Sequence, residues 1–224
     1  SSDLKEKTDK NFDILNECFG HFVRENFRNN KEDAQYMTPA EITLPILSVI
    51  FSDFERENYF SNMDLSSFTV MDPTCGVGTL IVESARRYIE YLQDHGADEN
   101  CIHRFLANSV VGQDKVDRMV RFSKINTLLL GANSQNIYIG NSISENTVID
   151  SMAGKVDFIF TNPPFGAEYI CSDLNERNFC YLNQLPRHDS TLYSEALMLL
   201  KCLHLLKPNG KLAIVLPDGV VDSN

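Results

Sequence analysis

"SSFTVMDPTCGVGTLIVESARRYIEYL", residues 66–92, decides the fold. Phe68 to Met71 form an apolar run of strand length. A loop with Gly76 and Gly78 follows, and from about Thr79 the apolar residues recur at helical spacing. Strand, tight loop and helix in that order make one βα unit. The unit repeats in "NSVVGQDKVDRMVRFSKINTLLLG" (108–131), with a strand near Val110 and Val111 and a helix closed by Gly131. "NIYIGNSI" (136–143) supplies a third strand and "KVDFIFTNPPF" (155–165) a fourth. "LYSEALMLLKCLHLLKPNGKLAIVLPDG" (192–219) reads as a helix, a Pro-Asn-Gly turn and a fifth strand. Continuously apolar strands alternating with helices imply a parallel sheet covered on both faces, so the fold class is α/β, doubly wound and Rossmann-like.

Upstream, Phe12, Leu15, Phe19, Phe22, Val23 and Phe27 recur every three or four residues, the pattern of an amphipathic helix over 12–27. Thr38, Pro39 and Glu41 then read as cap, first-position proline and early acid of a second helix. The expected division is an N-terminal helical segment, 1–35, and a main α/β domain, 36–224. Ser1 in place of methionine, and an apolar run ending close to Asn224, suggest a piece of a longer chain. From Gly166 to about Thr191 the sequence is polar and irregular, too long for an ordinary connector, and reads as a mobile loop beside a site.

Composition narrows the function classes. In 224 residues, 43% hydrophobic and 23% charged, there is enough apolar material for one main core and no signature of a disordered chain. Twenty basic against thirty-one acidic residues leave a net charge of −11, so a polyanion would be repelled unless another subunit supplies a positive groove. The six cysteines, at 18, 75, 101, 171, 180 and 202, include no pair at the two-residue spacing of zinc or redox motifs. They read as reduced thiols of a cytoplasmic protein, and no metal site is expected. No apolar stretch reaches the length of a membrane span.

Two stretches carry chemistry. In "DPTCGVGTL" (72–80), Gly76 and Gly78 let a backbone approach a ligand at the start of a helix, while Asp72 at the strand end can accept from a cationic group. The spacing ends at Ile81, where a dinucleotide fingerprint would have its third glycine, which argues against a nicotinamide cofactor. Asp114, after the second strand, is placed to hold ribose hydroxyls or else to cap the next helix. The other stretch is "FIFTNPPFGAE" (158–168), where three apolar residues run into an asparagine and two prolines. Two fixed φ angles and two missing donors put rigidity at a strand end, where ligands of parallel sheets bind.

With "QYMTP" (35–39) before the glycine loop and "TNPPFG" (161–166) after it, the chain resembles adenine-N6 DNA methyltransferases, most of all the modification subunit of type I restriction-modification systems, over about residues 33–220. The resemblance implies S-adenosylmethionine as methyl donor. Tyr36, Thr38 and Pro39, the loop Asp72, Pro73, Thr74, Gly76 and Gly78, and Asp114, Asn141 and Asn162 would hold it. Asn162, Pro163, Pro164 and Phe165 would form the catalytic turn. Asn141 stands in "IGNSI" where such enzymes usually carry aspartate, which removes a charged contact to the cofactor's adenine ring.

The resemblance also implies double-stranded DNA as substrate, a DNA-specificity subunit, a restriction subunit and a second methylase copy as partners, and no membrane. A methyltransferase acting on protein glutamine or RNA, or a cofactor-binding scaffold without catalysis, remain alternatives. Cys75 reads as a small residue in a tight loop, and Arg177, Arg187 and His188 as members of a solvated polar loop.

Overall fold

The computed structural model describes residues 38–143, 147–170 and 191–218. The expected helix over 12–27, Tyr36, and the middle of the long polar stretch with Arg177, Arg187 and His188 lie outside the described residues.

Five strands form one sheet: β1 (Val70–Asp72), β2 (Val110–Asp114), β3 (Ile137–Ile139), β4 (Val156–Thr161) and β7 (Leu206–Ile214). Their order is β3-β2-β1-β4-β7, and every neighbouring pair is parallel. Every residue of β1, β2 and β4 is buried, as continuous apolar runs require when both faces are covered. Alternation along each strand sends successive side chains to opposite cores. Val70, Val110, Phe158 and Phe160 enter one core and Met71, Val111 and Ile159 the other.

The first core lies under α1 (Ala40–Arg56), α2 (Thr79–Asp94), α3 (Glu99–Asn108) and α4 (Asp117–Leu129). It is rich in aromatic rings in edge and stacked contact, such as Phe68 on Tyr88 at 4.2 Å between centroids. The second core lies under α5 (Ser194–Leu205), which is pinned by its buried Lys201 ammonium on Asp150.

The structure differs from the sequence reading in four places. Pro39, not Thr38, occupies the N-cap of α1, with an extended φ/ψ and no side-chain bond closing the turn. Helix α3 was not expected. Asp98 caps it by accepting from the Cys101 N–H at 2.7 Å, and it buries Cys101, Phe105 and Leu106. The Pro-Asn-Gly segment is not a turn ahead of the fifth strand but an irregularity inside β7. The register jumps from Val156 opposite Leu206 to Phe158 opposite Lys211, and Asn209 takes φ +64°. Lys207, in the extra residues, pairs with buried Asp157 at 2.7 Å, which holds the bulge against β4. Finally, the two ends of the long polar stretch pair as an antiparallel ribbon, β5 (Glu168–Ile170) with β6 (Thr191–Tyr193).

Gly131 ends the α4 segment at φ +88°, as read. Gly78, the N-cap of α2, has φ +89°, and a Cβ there would stand 2.7 Å from Ser123 Oγ and 3.2 Å from Ser123 Cα. Gly78→Ala is therefore expected to destabilise the protein by about 2–4 kcal/mol from left-handed strain and overpacking together. A thermal melt with an unchanged midpoint would contradict this.

Among the described residues, no helix is long and apolar enough to cross a membrane.

Candidate active site

The chain lays β1, β2 and β3 to one side and then crosses to place β4 on the other flank of β1, so strand order reverses between β1 and β4. Crevices at such a reversal, outside the carboxyl ends of the strands, are where open α/β sheets hold ligands. A cavity of about 360 Å³ opens there. It draws a residue or turn from the carboxyl end of each of four strands: Asp72 from β1, Asp114 from β2, Gly140 and Asn141 after β3, and Asn162 after β4.

Asp72 is 1% exposed, and the donors to it converge on Oδ1: the Thr74 N–H at 2.9 Å and the Thr161 hydroxyl at 2.7 Å. Burial pushes its carboxyl up to about 7. The bonds from Thr161 and Thr74 pull the other way, and the charge of Asp114 adds to the rise. A carboxylate in this position gains most from a cationic ligand, which would restore its charge. Cys75 beside it is buried, and burial together with the Asp72 charge drives its thiol well above the ordinary range, so it packs rather than attacks.

Asp114 does two jobs at once. Its Oδ2 accepts the Gly76 N–H at 2.9 Å and its Oδ1 the Val116 N–H at 2.8 Å, tying the glycine loop to β2 and ordering the turn into α4. A carboxylate oxygen can accept more than one bond, which suits Asp114 to hydroxyl donors. Asn141 spends Oδ1 on the Ile143 N–H at 3.1 Å and lines the cavity without the charge an aspartate would bring. The next side chain, Ser142, is buried and donates to the Pro73 carbonyl, while the Gln113 amide donates to Ser142 at 2.7 Å. The β3 turn and the glycine loop are thus locked together.

The residues after β4 make the far wall. Asn162 donates from Nδ2 to Thr38 Oγ1 at 3.2 Å, which ties its amide to the residue just ahead of α1. Thr38 therefore orients Asn162 rather than capping α1. Among the described residues nothing donates to the Pro163 carbonyl, whereas the Pro164 carbonyl takes the Ser194 hydroxyl at 2.9 Å. Phe165 lines the cavity and is 45% exposed, an aromatic face open to solvent at the mouth.

Of the residues singled out in the sequence, Thr38, Asp72, Pro73, Thr74, Gly76, Asp114, Asn141, Asn162, Pro163, Pro164 and Phe165 all line this one cavity. Two do not: Gly78 starts α2 with its backbone, and exposed Pro39 starts α1. Sequence reasoning missed Thr161, Ser142, Ser194 and Glu195, which make the bonds that hold the lining in place. Thr161 alone carried a signal, as the one polar residue between the apolar run of β4 and Asn162.

The cavity fits a nucleoside bearing a cationic side chain. Two buried acids stand on one wall, and the backbone at Gly76, with φ +51°, carries no Cβ into the space. A family model described as N-6 DNA methylase matches residues 10–224. The methylase subunit of the type I restriction enzyme EcoEI of Escherichia coli is 28% identical over 153 residues, covering 68% of this chain and 29% of that protein. The corresponding subunit of MjaVII from Methanocaldococcus jannaschii is 27% identical over 149 residues, 66% of this chain and 21% of that protein. The chain spans less than a third of the length of either. Among solved structures, the methyltransferase subunit of a type I restriction-modification system from Streptococcus thermophilus superposes with a TM-score of 0.64 at 19% identity. It covers 95% of this chain and 40% of that one.

Proposed function

This chain belongs to the N-6 DNA methylase family, and we propose that it is the catalytic core of an enzyme that transfers a methyl group from S-adenosylmethionine to N6 of an adenine in duplex DNA. The observation that carries the reading is the juxtaposition of an acid-lined nucleoside cavity with the Asn162-Pro163 turn. That turn offers an oriented amide and a carbonyl to which no described residue donates, on the same cavity.

When bound, S-adenosylmethionine supplies an electrophilic methyl on sulfur. Asp72 suits its cationic amino acid end and Asp114 its ribose diol, with the loop 72–78 around both. Tyr36 is assigned to the same end by motif alone. The N6 amine of adenine is a weak nucleophile because its lone pair is delocalised into the ring, and no side chain can deprotonate it at neutral pH. Asn162 Oδ1 and the Pro163 carbonyl each accept one of its N–H bonds, which drives the nitrogen towards tetrahedral geometry and frees the lone pair for attack. The nitrogen would form its bond to the methyl carbon as that carbon's bond to sulfur breaks, the electron pair staying on sulfur, and its surplus proton would pass to water. This is preorganised electrostatics and positioning, achieved with acceptors that proline holds still. Phe165 stacks on the adenine, which must leave the duplex to reach them.

Relatives named as methylase subunits of type I restriction enzymes support a DNA-specificity subunit as partner, with a restriction subunit and a second methylase copy completing the assembly. A net charge of −11 supports it too, since this chain alone offers DNA little attraction.

The test is a base-resolution map of N6-methyladenine in a methylation-free host carrying the full-length gene with its neighbours, beside the same cassette with Asn162→Ala. Methylation at a defined sequence that vanishes in the variant is expected. A folded wild type that binds S-adenosylmethionine but leaves no methyladenine would move the reading to glutamine, RNA or a scaffold role.

Asp114→Ala is expected to weaken S-adenosylmethionine binding by about 10–100-fold, because one truncation loosens the glycine loop and removes a charged acceptor. Calorimetry that finds the affinity unchanged would remove Asp114 from the binding set.

A further inference from the structure

We propose that Ser194 and Glu195 are positioning residues for methyl transfer: from the first turn of α5 they hold the Asn162-to-Ala167 turn from behind, and so set where Asn162 and Phe165 meet the target base. The inference rests on the adenine reading above.

Both side chains are buried, Ser194 at 1% and Glu195 at 7% exposure. Their bonds all reach one short stretch of chain. Glu195 Oε2 accepts the Gly166 N–H at 3.0 Å, and the Ser194 hydroxyl donates to the Pro164 carbonyl at 2.9 Å. The Ser194 N–H donates to the Ala167 carbonyl at 2.7 Å, and the Ala167 N–H returns a bond to Ser194 Oγ at 3.3 Å. Phe165 therefore sits between two anchored peptide units while its own ring stays open to the cavity mouth. On the other side, Thr38 holds the Asn162 amide at 3.2 Å. The turn is gripped from both ends.

A buried carboxylate is costly unless its oxygens are well bonded. Among the described residues, Glu195 takes part in no ion pair. Its bonds come from neutral groups, Gly166 and the Ser194 hydroxyl at 3.0 Å, and from its place in the first turn of a twelve-residue helix, where the helix dipole favours negative charge. Ser194 Oγ lies within bonding reach of both the Pro164 carbonyl and Glu195, yet has one proton to give. Glu195 Oε2 therefore competes with the Pro164 carbonyl for that proton, and the two side chains form a fork beneath the turn. The fork cannot drift with its helix, because α5 is fixed further along by Lys201 on Asp150.

The test uses the full-length protein assembled with its partner subunits, as wild type, Glu195→Ala, Glu195→Gln and Ser194→Ala. Three quantities are read: the single-turnover rate, the affinity for S-adenosylmethionine, and the fluorescence of 2-aminopurine placed at the target adenine. A displacement of about 1 Å at a reacting centre is enough for the expected result, a rate loss of about 10-fold or more in Glu195→Ala with cofactor affinity within about twofold and an altered 2-aminopurine signal. Glu195→Gln, whose amide oxygen still accepts from Gly166, should recover to within about threefold of wild type.

An Ala variant with an unimpaired rate overturns the proposal, as does a rate loss matched by an equal loss of cofactor affinity. Should Glu195→Ala fail to fold, Ser194→Ala decides: about fivefold or more slower supports the proposal, and a wild-type rate overturns it. A wild type that leaves adenine unmethylated overturns the parent reading and this inference with it, whereas an active wild type beside an unimpaired variant overturns the inference alone.

Discussion

Asn162→Ala is expected to lower methyl transfer to adenine by about 10²–10³-fold, the scale on which enzymes lose rate when one preorganised hydrogen-bonding group at the reacting centre is removed. The lost group is the side-chain acceptor for the amine. Pro163 still offers its carbonyl, so one N–H remains held and the nitrogen is only half reshaped. Affinity for S-adenosylmethionine should stay within a few-fold, because bonds from Thr74 and Thr161 hold Asp72, and a bond from Gly76 ties Asp114 to the glycine loop, with no part for the Asn162 side chain in any of the three. The decisive comparison is single-turnover rate against calorimetric affinity in the same preparation. A variant keeping more than about a tenth of the wild-type rate would remove Asn162 from the chemistry.

Asp72→Asn should move binding and stability in opposite directions. The folded-state carboxyl titrates near 7, whereas in the unfolded chain it returns to an ordinary value near 4. Between those values the native state holds a proton that the unfolded state has released, so this group's contribution to stability is present at low pH and lost as pH rises through about 7. Asparagine carries no charge to bury. The cofactor-free variant should be as stable as wild type near pH 4 and more stable above pH 7, by an amount on the order of 2–4 kcal/mol. Binding goes the other way. Loss of a buried charged partner for the ligand's cationic end should weaken S-adenosylmethionine by about 100-fold. Wild-type affinity should fall as pH drops below about 7 and Asp72 takes up its proton, while the variant's stays flat. Denaturant melts at pH 5 and 8, with calorimetry at both, read all of this. A variant less stable than wild type at pH 8 would refute the buried-charge account.

Much of this molecule could be read from its residues because the deciding signals are local. The runs ending at Met71, Val111 and Phe160 are too short and too apolar for anything but buried strands, and Asp72 and Asn162 are exceptional for standing where those runs stop. Helix α3 escaped because it is only ten residues long, although Asp98 and Glu99 carried an ordinary helix start and Cys101, Ile102, Phe105 and Leu106 stand at helical spacing. The Pro-Asn-Gly segment looked like a turn because its composition is that of a turn. What keeps it inside a strand is Lys207 reaching Asp157 across the sheet. Thr38 had two readings, and only the position of Asn162, 124 residues later, separates them. Ser194 and Glu195 gave no sign at all, because their partners lie about thirty residues earlier and are backbone atoms, which no side-chain pattern records.

The same long separations bear on how the protein comes into being. Asp72 and Thr161, bonded across the floor of the cavity, are 89 residues apart in the chain. The first three strands can assemble by near-neighbour crossovers, but the crevice has only one wall until β4 docks against β1, a closure over a longer stretch of chain than either before it. A nascent chain that has emerged as far as β3 thus carries the glycine loop and both acids with nothing opposite them. S-adenosylmethionine can hold together only a chain that has completed this step, and by mass action it should stabilise the finished sheet rather than guide its early construction.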